Sequence, residues 1–354
     1  MFDLILVGYG NVARRFVALL EERAGVLAHE YGLRTSVIGV VTRREGPRYL
    51  IDDFGRTRAT SAVPFIREAC RRDRAAARDG RLVVVETTTL DVERGEPAIS
   101  HVRAALAGGA HVITANKGPA AFAYRRLARA AERAGRRFLF EGAVMDGVPV
   151  FNLARDTLPA ITISGFRGVV NSTTNYILTA MEQGQPFGAA LADMQARGIA
   201  EADPTLDVDG WDAAAKTAAL ANVWLDARIT PHDVERQGIS PATAERARLV
   251  RAAGHRLKLV ASAARQGRGT VSARVSLESL SGDDLLAGVE AQQNALLVRT
   301  DLLDEIAIVQ RAGSLTHTAY ALVSDLITIA RARPPAQRSA RRRRSPSPRD
   351  RRSR

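Results

Sequence analysis

A short aliphatic run at residues 4–7 stops on Gly-Tyr-Gly and is followed by an apolar pattern at Phe16, Val17, Leu19 and Leu20. The order reads strand, tight turn, helix. In G-Y-G-N-V-A, Gly8 permits the turn, Gly10 lets a pyrophosphate approach the backbone, and small Ala13 stands where helix and strand must pack closely. The helix N-terminus at Asn11 and Val12 then faces the phosphates with N–H groups that have no partner inside the helix. Such a motif is weak alone; its place directly after a predicted strand makes it a dinucleotide-binding signal. Further strands are expected at 35–41, 82–85, 111–114 and 138–140, separated by Ala- and Arg-rich helical stretches such as 96–107 and 120–134. Alternation of this kind predicts an α/β domain with a parallel sheet covered on both faces, over about residues 1–150.

After residue 150 the texture changes to an α+β pattern over 151–330. Strands are expected at 160–170, 257–264, 270–279, 295–299 and 305–309, and helices at 174–182, 187–197 and around Asp212. A last apolar helix, about 316–330, returns to pack on one of the two domains. Of the net charge of +13, residues 331–354 supply +10, so the basic balance belongs to an Arg-rich tail. That tail has no aliphatic residue larger than alanine and is expected to be disordered and dispensable for catalysis. It offers salt-sensitive adhesion to polyanions but no aromatic platform, which argues against a specific nucleic-acid partner. One cysteine, Cys70, excludes an internal disulfide framework and fits a reducing compartment. The N-terminus has neither a basic leader nor an apolar run long enough to span a membrane, so a cytoplasmic protein is expected.

The polar chemistry concentrates at E-A-D-P-T-L-D-V-D-G-W-D-A-A-A-K, residues 201–216. Glu201, Asp203, Asp207, Asp209 and Asp212 fall within twelve residues, and Lys216 follows four after Asp212. On an Ala-rich helix those last two share a face and can reach one ligand. Pro204 and Gly210 keep the upstream acids from a continuous helix, leaving a loop that suits a cationic amine; a solvated acidic loop with an ordinary helix salt bridge reads equally well. At the end of the second strand, where an acidic residue would hold an adenosine ribose, stand Arg43 and Arg44, which favour a 2′-phosphate and hence NADP over NAD. T-A-N-K-G at 114–118 puts Lys117 at the carboxyl edge of the sheet, where it can touch cofactor or substrate. Thr87 and Thr88 end another strand and can hydrogen-bond a nicotinamide ribose or carboxamide. E-G-A-V-M-D-G-V-P at 141–149 is either a plain hinge or a turn whose carbonyls bind a monovalent cation.

Together, G-Y-G-N-V-A, T-A-N-K-G, F-E-G-A-V-M-D-G-V-P, G-V-V-N-S-T-T-N-Y-I-L and G-I-A-E-A-D-P-T-L-D-V-D-G-W-D-A-A-A-K resemble homoserine dehydrogenase in order and spacing over about residues 2–330. The resemblance implies an N-terminal Rossmann dinucleotide-binding domain, an α+β substrate and dimerisation domain, and a homodimer. It implies NAD(P)-dependent interconversion of L-homoserine and L-aspartate 4-semialdehyde, an amino-acid-biosynthesis step on the way to threonine and methionine. By position, Lys216 resembles the proton donor and acceptor, assisted by Lys117 and Asp212; Glu201, Asp207, Asp212 and Thr173 resemble substrate contacts. Gly198 and Gly313 join the cofactor-binding group. Glu141 with Val144, Asp146 and Val148 resembles a sodium or potassium site. The family's glycine-rich closing turn is represented by R-A-G-S, which keeps Gly313 but has Ser314 in place of a glycine. No amino-acid-sensing regulatory domain is recognised, as in a short form of the family. Rival readings are a non-catalytic dinucleotide-binding regulator, a dehydrogenase for another small amino acid, and the enzyme that makes the semialdehyde from an acyl phosphate. The last needs an accessible nucleophilic cysteine, which Cys70 in its helical stretch does not resemble.

Overall fold

The computed structural model describes residues 1–196 and 203–332. The first half builds a six-stranded sheet in the order β3-β2-β1-β4-β5-β6, from β1 (Phe2–Val7), β2 (Thr35–Thr42), β3 (Gly46–Tyr49), β4 (Leu82–Glu86), β5 (His111–Thr114) and β6 (Phe138–Leu139). All neighbours run parallel except the β2–β3 hairpin. All six residues of β1 are buried, as expected of a strand covered on both faces. Leu4, Leu6 and Phe16 pack with Leu322 and Leu326 of the last helix, Leu315–Arg331, which therefore returns to the first sheet and lies along helix Asn11–Glu22. Each such side chain contributes about 1.5–3 kcal/mol relative to exposure, which fixes that helix beside the glycine turn. Because β1 has β2 on one side and β4 on the other, the chain leaves it in opposite directions, and the crevice at the carboxyl ends of β1 and β4 is the position for a ligand.

The second sheet has the order β12-β11-β7-β9-β10-β8, from β7 (Ile163–Val169), β8 (Glu235–Arg236), β9 (Arg256–Arg265), β10 (Val271–Leu280), β11 (Asn294–Thr300) and β12 (Glu305–Gln310). It is antiparallel but for β8 on β10. Among the helices that cover it, Trp211–Trp224 buries six alanines, at 213, 214, 215, 218, 219 and 221. Small side chains on every face let it lie close to helix Gly118–Ala134, where Asn222 donates to the carbonyls of Ala120 and Ala121 at 3.2 and 3.0 Å.

Two local expectations are corrected. The strand expected from residue 160 starts at Ile163, because Ala160 sits at φ +62° in a turn. The acidic segment expected as a loop contains a helical turn, Thr205–Val208, which Pro204 can precede because a helix's first turn has no N–H partner to lose. Helices Phe151–Thr157 and Thr243–Ala252 and strand β3 were not anticipated; β3 is an edge strand, where Pro47 is tolerated.

Candidate active site

Gly8 adopts φ +87°, and a Cβ there would sit 2.9 Å from the Thr87 carbonyl oxygen, so both conformation and space demand glycine. The turn is tied to both neighbouring strands, with Gly8 N–H donating to Val41 O at 2.9 Å and Thr87 N–H to Val7 O at 2.8 Å. At Gly10 no atom lies within 4 Å of where a Cβ would be, and helix Asn11–Glu22 starts there with no side-chain cap. Open space before uncapped N–H groups is what a diphosphate requires. That mouth belongs to a cavity of about 660 Å³ also lined by Val12, Thr87, Thr88, Lys117, Asp207, Asp212 and Lys216. The fold thus brings the glycine turn and the lysine–carboxylate group to one place. Arg43 lies outside that lining, exposed just past β2; neither it nor Arg44 has an ion-pair partner among the described residues.

At the cavity floor Asp212 stands between two amines. Its Oδ1 is 3.1 Å from Lys117 Nζ and its Oδ2 is 2.9 Å from Lys216 Nζ. Lys216 also donates to Val170 O at 2.7 Å. Asn171, which caps helix Ser172–Glu182, donates from Nδ2 to both Asp207 and Asp212, at 2.7 and 2.8 Å. Burial works against the Asp212 charge, but Lys117 and then Lys216 outweigh it and hold the carboxyl below the ordinary carboxylate range. Burial likewise opposes the Lys117 charge, and Asp212 overcomes it, raising that amine above the usual lysine value. Asp207 is shifted upward, by burial first and then by the neighbouring Asp212 charge. Thr173 is buried in the same helix start. Asp203 and Asp209 are exposed, and Asp203 accepts from Thr205 at 3.1 Å. Gly198 and Glu201 lie outside the described residues.

Behind this surface lies a carboxylate that the sequence reading missed. Glu86, fully buried at the end of β4, accepts from the Thr88 hydroxyl and, at 2.9 Å, from Thr114 Oγ1. Asn116 then bridges to the Thr88 and Thr89 carbonyls at 2.9 and 3.2 Å and accepts from Gly118 N–H at 2.8 Å. Glu86 and Asn116 therefore fix the loops that present Thr88 and Lys117. The available signal was a charged residue closing an otherwise apolar strand, L-V-V-V-E.

Glu141 is buried, and its carboxylate accepts from the N–H groups of Val150, Phe151 and Asn152 at 2.5, 2.9 and 2.7 Å, capping helix Phe151–Thr157. Its side-chain oxygens are thus committed to the backbone, and a cation at this turn would rely on carbonyl oxygens, including those of Val144, Asp146 and Val148. No cluster of three His, Cys, Asp or Glu suited to a metal occurs among the described residues. A larger cavity, about 940 Å³, lies off the β6 edge beside Phe138, Arg155 and Trp224; Glu141 lines it, and none of the other candidates does. Cys70 is buried against Gly108, and burial pushes its thiol up to about 11. Iodoacetamide at pH 8 is therefore expected to leave activity intact in the folded protein; rapid inactivation, blocked in Cys70→Ser, would place a working thiol here after all.

Two family models cover the chain: homoserine dehydrogenase, NAD binding domain, over residues 8–141, and homoserine dehydrogenase over residues 149–327. The chain belongs to the homoserine dehydrogenase family. It is 36% identical over 342 residues to an NAD(+)-dependent homoserine dehydrogenase of Pseudomonas canavaninivorans, covering 93% of this chain and 96% of the relative. It is 33% identical to the homoserine dehydrogenase of Sulfurisphaera tokodaii, covering 93% and 98%. A solved putative homoserine dehydrogenase from Archaeoglobus fulgidus matches with a TM-score of 0.79 at 29% identity, over 93% of this chain and 99% of that one. The protein is accordingly an oxidoreductase that acts on a CH–OH group with a nicotinamide cofactor, interconverting L-homoserine and L-aspartate 4-semialdehyde. No described helix is long and apolar enough to cross a membrane.

Proposed function

We propose that the 660 Å³ cavity is where homoserine dehydrogenase chemistry occurs, with Lys216 carrying the proton. The observation that supports this reading is the carboxylate of Asp212 held between two lysine amines in a cavity that opens onto the glycine turn. The nicotinamide ring supplies or takes up a hydride. An aldehyde carbon that gains hydride leaves negative charge on its oxygen, so a proton donor must stand at that oxygen, and the Lys216 ammonium is suited to it. In the alcohol-oxidising direction the neutral amine takes the hydroxyl proton. Asp212 orients Lys216 and balances two cations that would otherwise repel; Lys117 adds positive charge where the oxyanion develops. Asp207 and Thr173 contact the substrate, with Glu201 holding its ammonium. Gly8, Gly10, Asn11 and Val12 receive the diphosphate, Thr87 and Thr88 the nicotinamide riboside, and Gly313 borders the cofactor, for which Gly198 is a further binding candidate. A sodium or potassium ion would be held by the carbonyls of Val144, Asp146 and Val148 in the 141–148 turn. The working unit is a cytoplasmic homodimer, with the domain boundary near residue 150.

Cofactor choice follows from charge at the end of β2. Arg43, exposed and without an ion-pair partner among the described residues, favours the extra phosphate of NADP. Homoserine-dependent reduction of NAD and of NADP by the purified protein tests the function and the preference together. Arg43→Ala is expected to weaken NADP by about 1–3 kcal/mol and NAD much less. Equal losses for both cofactors reject the arginine's role, and absence of homoserine-dependent turnover rejects the placement of the reaction.

A further inference from the structure

Asp146 has a conformation that costs energy and a set of partners that a plain turn does not need. It stands at φ +50°, in the left-handed region that non-glycine residues rarely adopt. Its Oδ2 accepts from Gln310 Nε2 at 2.8 Å and its Oδ1 from Thr318 Oγ1 at 3.0 Å. Gln310 ends β12 and Thr318 lies in the first turn of helix Leu315–Arg331, so one carboxylate grips both sides of the turn at 311–314. Gln310 is itself held: it is 4% exposed, and its Oε1 accepts from Asn294 Nδ2 at 2.9 Å, which points its amide nitrogen at Asp146.

The surrounding backbone is shaped to this grip. A Cβ at Gly313 would lie 2.7 Å from Asp146 Oδ2, so glycine leaves the room in which the carboxylate sits. A Cβ at Gly147 would lie 2.4 Å from the His317 carbonyl oxygen, so the 145–148 turn and the start of the last helix are in direct contact. Ser314 closes the turn by capping that helix, its Oγ accepting from His317 N–H at 3.2 Å. On the far side Arg15 Nε donates to Thr316 Oγ1 at 3.0 Å, joining the pinned segment to the helix that opens at the glycine turn. Asp146, Leu315 and Thr318 line the same cavity as Gly10 and Asn11.

We propose that Asp146 is a positioning residue that locks the 311–314 turn beside the mouth of the cofactor cavity. The proposal rests on the reading that this cavity takes the nicotinamide cofactor. A wall fixed in advance does not have to be ordered when the cofactor arrives, so the latch favours binding rather than the chemical step. A turn residue chosen only because aspartate tolerates positive φ would need neither the paired acceptors nor the space at Gly313. Replacing it with glycine separates these two roles, because glycine adopts that φ freely.

Steady-state kinetics of the full chain at saturating homoserine, with melting curves, provide the test. Asp146→Gly is expected to raise the cofactor KM by about 10-fold, the size of a lost hydrogen bond to a charged group, with the smaller share of the loss in kcat and no fall in Tm. Asp146→Asn, which keeps one acceptor oxygen, should recover most of that loss. Gln310→Ala should act in the same direction and add nothing in the Asp146→Gly background, because both remove one contact. Gly10→Val, which fills the open space before the helix, serves as the control for cofactor placement. If Gly10→Val raises the cofactor KM while Asp146→Gly leaves it unchanged, or if the Gln310 and Asp146 effects add, the latch is overturned. A fall in Tm with parallel losses in kcat and both KM values makes Asp146 structural and also overturns it. If neither Gly10→Val nor Asp146→Gly moves the cofactor KM, the cofactor placement fails and the latch falls with it.

Discussion

Lys216→Ala is expected to lower turnover by about 100- to 10,000-fold while cofactor binding is largely kept, the usual effect of removing a positioned acid or base. The expectation follows from where the amine is held. Lys216 donates to Val170 O and lies 2.9 Å from Asp212 Oδ2, so two acceptors fix its nitrogen in the cavity. Removing it leaves Asp212 paired with Lys117 at 3.1 Å, so the carboxylate keeps one cation and the helix keeps its alanine packing. The fold should therefore survive, which makes the kinetic reading clean. Rapid-quench measurement of a single turnover with saturating cofactor separates the chemical step from product release. Near-native turnover in a folded Lys216→Ala protein would mean that the proton travels by another route. Lys117, on the opposite side of the same carboxylate, would then be the next residue to replace.

Much of the scaffold was legible because local signals agree. The run at 82–85 is apolar, bounded by polar residues and buried on both faces, and β4 is Leu82–Glu86. The turn at Gly8 was readable because only glycine fits both its φ and the approach of Thr87. What was hidden depends on distance in the chain. The contact between Lys117 and Asp212 spans 95 positions, and it forms because the alanines of Trp211–Trp224 let that helix approach Gly118–Ala134. The sequence shows small residues but not which neighbour they admit. Glu86 was hidden for a related reason: its partner Thr114 ends β5, 28 positions further on, and the two meet only because the sheet order places β5 beside β4. The edge strand Gly46–Tyr49 has no apolar alternation, and it pairs only because the turn after β2 brings it back. Asp146 reads in the sequence as a residue of a hinge, and its grip on Gln310 and Thr318 appears only once the last helix has returned to the first sheet.

Asp212→Asn is expected to damage both activity and stability, because it leaves Lys117 and Lys216 facing each other without the charge between them. The shape of the side chain is nearly kept, and Asn171 can still approach it, so the loss reports charge rather than volume. Breaking a buried pair on one side costs up to about 3–5 kcal/mol, and here one carboxylate serves two amines. The pH dependence has a definite sign. Asp212 is held below the ordinary carboxylate range, so its contribution is present above the unfolded carboxyl pKa and lost as pH falls through the lower folded value. Lys117 is held above 10.5, so its contribution is present below that value and lost as pH rises through the higher folded one. Between about pH 5 and 9 both are fully present. The difference in Tm between the parent protein and Asp212→Asn should therefore be flat across that window and narrow in stronger acid and again in strong alkali. In kinetics, kcat/KM for homoserine should fall by at least about 100-fold, as for other groups that position an acid or base. The pH at which oxidation becomes efficient should move downward, because Lys117 loses the charge that favours its protonated form. A variant whose Tm matches the parent across pH 5–9, or whose pH–rate profile moves upward, would show that Asp212 does not carry the charge on which the paired lysines depend.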